Sequence, residues 1–500
     1  MSRLVLVLDC GATNVRAVAV DQQGRLVHME AIKNRILIQD RQKHWLNWDT
    51  EKIWESLLLC TKKTVAACGS DRFVAIIATS FSDDGAPVDE NGNLLYPVIS
   101  WRCRRTEKIA AEIGNRIPNK DLFEITGEQN LHQHTLFKLL WLNEIQPDVL
   151  NTCHRYLMFP GILNFRLTGR MVDDPTTADS TLLLDIRKRI YSNNLLQHFQ
   201  LKQNLFAPLQ EPGTVIGELT DTVRHQIGLK NTIPVITGGH DTQFAICGSG
   251  CKPGEAVLSS GTWEILFTRD TECHTSEKAR LSGVKNECDA DSGLYNTGLQ
   301  WIGSGLIEWL LSSIFGFASA DEQSYRLMIE AGKKIAPGGS NLYVVPSFLK
   351  TPNSGNISGT GGLTYGFTME TKREELFRAL LEGLSYRLRA SLEILSSICK
   401  RSFSFLHLVG GGSRNSLWNQ IRADMLGIPL KISNQAENTV IGAALFAFIG
   451  AGVFKDYNQA FTGFKFPYSL IEPSAEKNRY GELYEKYCFL EENSQYLNRL

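Results

Sequence analysis

The sequence predicts an α/β protein made of two similar domains on either side of a cleft. Three observations predict it. The chain has 500 residues, too many for one ordinary core. It opens with three short apolar runs joined by tight polar turns, followed by a helical pattern and another strand. The strand, Gly/Thr turn, strand pattern of the opening then returns in the second half.

Residues 4–8 form an apolar run, Asp9-Cys10-Gly11-Ala12-Thr13-Asn14 a turn, and residues 15–20 a second run. A turn at 21–24 leads into a third strand from Arg25. Helical spacing over 49–67 follows, with Asp49 or Thr50 as N-cap. Residues 73–79 are a β-rich strand. Strand, strand, strand, helix, strand is the opening of an actin-like domain and not of a Rossmann domain. Residues 134–146 and 161–168 have helical spacing, and 234–237 is a short strand that ends in Gly238-Gly239-His240-Asp241 before another helical stretch.

The second hairpin covers 256–267, with Ser260-Gly261-Thr262 in its turn. A strand at 405–409, the loop Gly410-Gly411-Gly412 and a helix over 417–426 form a strand-loop-helix unit, and 430–432 is the next strand. The Gly-rich stretch 353–366 reads as a loop near the cleft or on the surface. No low-complexity linker separates the halves, which favours domains packed around a cleft. The expected spans are 1–245, 246–455 and a tail of helices over 456–500.

Hydrophobic residues make up 43 % and charged residues 21 %, a globular composition. A net charge of -1 supplies no strong basic field for nucleic acid or an anionic membrane. The 11 cysteines are scattered and contain no Cys-x-x-Cys pair, which argues against zinc and for reduced thiols in the cytosol. The apolar run at the start stops at Asp9, too short for a signal-peptide core. The run 439–454, interrupted by Gly442, Gly450 and Gly452, falls short of the ~20 residues of a membrane helix and reads as a buried helix.

The turns carry chemistry. A hairpin turn with Gly lets backbone N–H groups approach phosphate at Gly11, where Thr13 and Asn14 can donate and Arg16 can add a two-pronged contact. Asp9 at the strand end suits Mg²⁺. The plain alternative is an ordinary hairpin with Asp as a turn former. Gly261 and Thr262 offer the same equipment from the other half, and two such turns could clamp a phosphate chain. Gly411 allows a flat ring to lie on the backbone and Asn415 can bond an adenine edge, unless the loop is only a structural turn. Asp241 suits the carboxylate that takes a hydroxyl proton during phosphoryl transfer, or else caps the following helix. Asp84 and Trp101 can bind sugar hydroxyls and a sugar face, or can be a turn residue and a core ring.

Together these stretches resemble the FGGY family of carbohydrate kinases, over nearly the whole chain from residue 4 to about 454. The turn Asp-x-Gly-x-Thr-x-x-Arg matches at Asp9, Gly11, Thr13 and Arg16. Residues 135–142 are similar to one family signature, with Gln133 a departure just before it. Residues 362–383 are similar to another, with Thr360 in place of a usual hydrophobic residue. Within the family, residues 8–17, 91–101, 239–245 and 258–266 look like the branch that acts on L-fuculose, and His240 is part of that likeness. Ser82-Asp83 stands where that branch tends to have Gly and an apolar residue.

The resemblance implies two ribonuclease-H-like domains around a catalytic cleft. It implies transfer of the ATP γ-phosphate to O1 of L-fuculose, with Asp241 as base, Asp9 and Asp241 at Mg²⁺, and the sugar against Asp84, Trp101, His240 and Asp241. ATP would lie on Gly11, Thr13, Asn14, Arg16, Gly261, Thr262, Gly411 and Asn415. The implied partners are the sugar and ATP in the cytoplasm, with no nucleic acid or membrane, and a homo-oligomer is left open. The competing readings are a kinase for L-rhamnulose, D-ribulose or D-xylulose, a non-kinase actin-like ATPase, and a catalytically silent sugar sensor.

Overall fold

The computed structural model describes residues 3–40, 42–318, 321–339, 341–348, 362–435 and 437–497. Most of the Gly-rich stretch 353–366, with Thr360, lies outside the described residues. Numbering only the elements used below, the first half contains β1 (Leu4–Cys10), β2 (Asn14–Asp21), β3 (Leu26–Lys33), α1 (Thr50–Cys68), β4 (Phe73–Ser80), α2 (Thr135–Ile145), α3 (Phe159–Thr168), β5 (Val215–Glu218), β6 (Pro234–His240) and α4 (Asp241–Gly248). The second half contains β7 (Ala256–Ser260), β8 (Trp263–Asp270), β9 (Lys285–Cys288), β10 (Tyr295–Ile302), α5 (Arg373–Cys399), β11 (Leu406–Val409), α6 (Ser416–Leu426), β12 (Leu430–Ser433), α7 (Asn438–Gly450), β13 (Tyr468–Ile471) and α8 (Lys477–Leu497).

The expected internal repeat is visible in the strand order. The first sheet runs β5-β6-β4-β1-β2-β3, and the second runs β9-β10-β8-β7-β11-β12-β13. In each, an antiparallel hairpin (β1–β2, β7–β8) is joined by a parallel strand on its inner edge (β4, β11) and an antiparallel strand on its outer edge (β3, β10). This is the two-domain actin-like, ribonuclease-H-like architecture that the opening hairpins predict.

Strand β1 shows how sequence period becomes layers. Leu4, Leu6 and Leu8 pack with Ile53 and Leu57 of α1 and with Ile162 and Leu163 of α3. Val5 and Val7 point the other way, onto Val440, Ile441 and Ala444 of α7. A run that reads as uniformly apolar is thus a strand buried on both faces. Helix α7, the expected buried helix, contributes ten buried residues, and among the described residues no helix is long and apolar enough to cross a membrane. It packs on the first sheet although it lies in sequence between β12 and β13 of the second.

The second sheet is covered on one face by α5, α6 and α8, through Leu258, Leu384, Leu408, Trp418 and Tyr487. Beyond residue 455 the sequence reading had helices alone. The structure adds β13, which pairs antiparallel with β12 and forms an edge of the second sheet.

Helix α1 starts where expected, because the Asp49 side chain accepts from the Lys52 N–H at 3.1 Å. Asp49→Ala should lower unfolding free energy by about 1 kcal/mol, read from the urea midpoint. Strand β6 runs three residues further than the sequence suggests. Gly238 and Gly239 continue the strand because a Cβ at Gly238 would lie 1.7 Å from the Ala78 carbonyl oxygen, and one at Gly239 2.3 Å from Thr176 Oγ1. The glycines serve close approach and not a turn.

Candidate active site

The end of β6 delivers Asp241. His240 occupies the N-cap position of α4 without a capping side-chain bond, and Asp241 is the first helical residue. Capping is therefore not what Asp241 does. The backbone N–H of His240 is held by Thr176 Oγ1 at 3.0 Å, and Thr79 Oγ1 donates to the Gly239 carbonyl at 2.8 Å. His240 Nε2 lies 3.5 Å from Asp241 Oδ1. Burial pushes the Asp241 carboxyl up, and His240 opposes the rise.

Asp241 faces a cavity of about 250 Å³ between the two halves. Asp83, Trp101, Glu128, His134 and His240 line it from the first half, and Trp263, Lys285 and Glu287 from the second. Ala12 of the first hairpin turn also lines it. Ala12 in the first turn and Trp263, just after the second, thus border the space beside Asp241.

The turns are built alike. Gly11 N–H closes the first on the Asn14 carbonyl at 2.9 Å, and Gly261 N–H closes the second on the Trp263 carbonyl at 2.9 Å. Each is braced from outside, the first by Asn34 N–H on the Thr13 carbonyl at 2.8 Å, the second by Gly303 N–H on the Thr262 carbonyl at 2.8 Å. Thr13 and Thr262 are left exposed at the tips. Beneath the second turn, Arg422 binds Glu264 and Ser260 Oγ, each at 2.9 Å, in full burial. The Gly-rich loop sits against the same strand end, since a Cβ at Gly412 would lie 2.0 Å from Ser260 Oγ. Gly411 by contrast has open space around its Cβ position. Asn415 Oδ1 caps α6 by accepting from Trp418 N–H at 3.1 Å, while its buried Nδ2 has no partner among the described residues. One atom of Asn415 is structural and the other is a free donor.

Both domain models of the FGGY family of carbohydrate kinases match, the N-terminal one over residues 4–248 and the C-terminal one over 256–451. The chain belongs to this family. It is 40 % identical to the L-fuculokinase of Escherichia coli over 95 % of this chain and 98 % of that one. It is 35 % identical to the L-fuculokinase of Haemophilus influenzae over 91 % and 97 %. The fold is similar to the xylulose kinase of Rhodospirillum rubrum, with a TM-score of 0.88 at 21 % identity over the full length of both. The chain is thus an ATP:sugar phosphotransferase of that family.

Two expected contacts of this kinase fall elsewhere. Asp84 is not at the cavity. It is fully buried behind the wall, bonded to Lys138 Nζ, to Trp48 Nε1 at 2.5 Å and to Trp101 N–H at 3.0 Å. Burial pushes its carboxyl up to about 6, and Lys138 opposes. The carboxylate that faces the cavity is its neighbour Asp83, which accepts from His134 Nδ1 at 2.9 Å. Burial works against the charge on Asp83, yet the His134 bond and charge hold its carboxyl below the usual range. Asp83 adopts a left-handed φ of 68°, a conformation that among non-glycine residues Asp, Asn and His take most readily. Arg16 is also different. Its guanidinium is bonded by Asp9 on one side and by Glu437, just before α7, on the other. Both prongs expected at phosphate are spent on carboxylates, one from each half.

Sequence reasoning missed Glu437, Glu128, His134, Lys285 and Glu287. Glu128 follows the turn at Gly127, but nothing local ties that turn to the cleft, and the other four lie in no Gly turn. Lys138 stood inside a family signature, but its partner Asp84 was not foreseen.

Proposed function

We propose that this kinase transfers the γ-phosphate of ATP to O1 of L-fuculose, giving L-fuculose 1-phosphate. The observation that carries the reading is the position of Asp241, at the start of α4 and facing a cavity bordered by Ala12 of one Thr-bearing turn and by Trp263 beside the other. The names of the relatives at 35 to 40 % identity select L-fuculose among ketoses. Phosphoryl transfer asks the protein for position and charge stabilisation more than for covalent chemistry. Asp241 accepts the proton of the O1 hydroxyl as that oxygen attacks. The turns at Gly11 and Gly261, with the side chains of Thr13, Asn14 and Thr262, line the phosphate path. Gly411 gives the adenosine a flat surface, and Asn415 Nδ2 supplies a donor to it. Trp101 and His240 contact the sugar together with Asp83, and Asp84 holds the Trp101 backbone in place. Arg16 orients Asp9 and ties the halves together.

Asp9 and Asp241 suit Mg²⁺. Burial pushes the Asp9 carboxyl up to about 6, Arg16 opposes, and the charge of Asp241 adds to the rise. Two carboxylates that repel each other beside a phosphate path are a hard-cation donor set. When bound, Mg²⁺ would neutralise charge on the phosphates. Closure of the spans 1–245 and 246–455 over the cavity would keep water from the γ-phosphate. The enzyme would work in the cytoplasm. Phosphorus NMR of the product tests the regiochemistry. The reading expects a phosphomonoester coupled to the two C1 protons, and coupling to a single methine proton would sink it.

A further inference from the structure

Glu128 lines the same cavity, is 3 % exposed, and its Oε2 has no hydrogen-bond partner among the described residues. The turn that carries it is nevertheless pinned from both halves of the molecule. Asn286 N–H donates to the Gly127 carbonyl at 2.8 Å. Gln129 Nε2 donates to the carbonyls of Arg280 at 3.0 Å and Val284 at 2.7 Å. His134 Nε2 lies 3.0 Å from the Gln129 carbonyl. The residues on either side of Glu128 are therefore fixed, and the carboxyl between them is held towards the cavity with a lone acceptor. Buried polar groups in native proteins are paired, and one left open in a cavity wall marks where a ligand group belongs.

Its place along the wall says which part of the ligand. From Asp241 the wall passes to His240 at 3.5 Å, then to Glu287, whose Oε2 is 3.9 Å from His240 Nδ1, then to Lys285, which is paired with Glu287. Glu128 feels the charges of Lys285, Glu287, His134 and Asp83. Among the described residues no hydrogen bond or ion pair joins it to Asp241 or His240, which face each other at 3.5 Å. We propose that Glu128 determines sugar specificity, its carboxyl hydrogen-bonding a ketose hydroxyl other than the one that Asp241 deprotonates. This rests on the reading of the chain as a ketose kinase. Burial pushes the Glu128 carboxyl up, with Lys285 opposing, and a neutral carboxyl offers one hydroxyl both a donor and an acceptor.

The test compares wild type with Glu128→Leu, Glu128→Ala and Glu128→Gln. The substrates are the ketose that wild type turns over best and its monodeoxy analogues. Glu128→Leu should raise the sugar KM by roughly 5- to 150-fold with the ATP KM unchanged. Glu128→Gln, which keeps a donor and an acceptor, should restore most of it. One deoxy analogue, lacking the contacted hydroxyl, should show the same KM on wild type and on Glu128→Leu. If Glu128→Leu does not fold, Glu128→Ala is read in its place. An unchanged sugar KM overturns the proposal, and so does an equal rise in the KM of sugar and ATP. Wild type that prefers another ketose to L-fuculose would instead sink the L-fuculose reading, and the Glu128 comparison would then be made on that ketose.

Discussion

Asp241→Asn should lower kcat by roughly 10²–10⁴-fold, the range that a positioned general base contributes. The substitution keeps the shape of the side chain and its place as the first residue of α4, and it removes the negative charge with which the carboxylate takes a proton and helps to hold Mg²⁺. The KM for ATP should change little, because the turns at Gly11 and Gly261 are closed and braced by bonds that do not involve Asp241. Steady-state kinetics with both substrates varied separate the two effects. Unchanged turnover would remove Asp241 from the chemistry.

Lys138→Met should have the largest effect on stability. Lys138 Nζ is bonded to the Asp84 carboxylate and, at 2.8 Å, to the Asp83 carbonyl, all in full burial. Removing the cation leaves a carboxylate buried without a counter-charge, a change that typically destabilises by about 3–5 kcal/mol. The loop that carries Asp83 loses an anchor at the same time, so the sugar KM should rise more than the ATP KM. Urea unfolding and kinetics read the two outcomes. A midpoint equal to wild type would mean that the pair contributes nothing. Combining Lys138→Met with Asp84→Leu should recover part of the loss, because no unpaired charge then remains.

The turns and strands were legible because Gly, Asp and Thr punctuate apolar runs, and that punctuation is local. The β1–β2 and β7–β8 hairpins, the α1 cap at Asp49 and the helices α2 and α6 all follow from it. What was not legible depends on partners far away in sequence. Asp83 and Asp84 are neighbours with similar chemistry. Which one meets the cavity is decided by Lys138, Trp48 and the left-handed backbone at Asp83. Arg16 reads as a phosphate ligand until Glu437 arrives from the other half of the chain to occupy it. Glu128 gains its meaning only when its turn docks on β9, a contact that no pattern in the sequence announces. Strand β1 reads correctly as a strand, but that its second face is covered by α7 is a matter of chain topology.

The most direct test of the account is initial-rate ADP release with ATP and Mg²⁺, in the presence of L-fuculose, L-rhamnulose, D-ribulose, D-xylulose or glycerol in turn. The account predicts release that depends on sugar and is fastest with L-fuculose. Preference for another ketose would contradict the assignment of substrate and trace the error to the wall around Asp83 and Glu128. ADP release that no sugar stimulates would contradict the kinase reading itself.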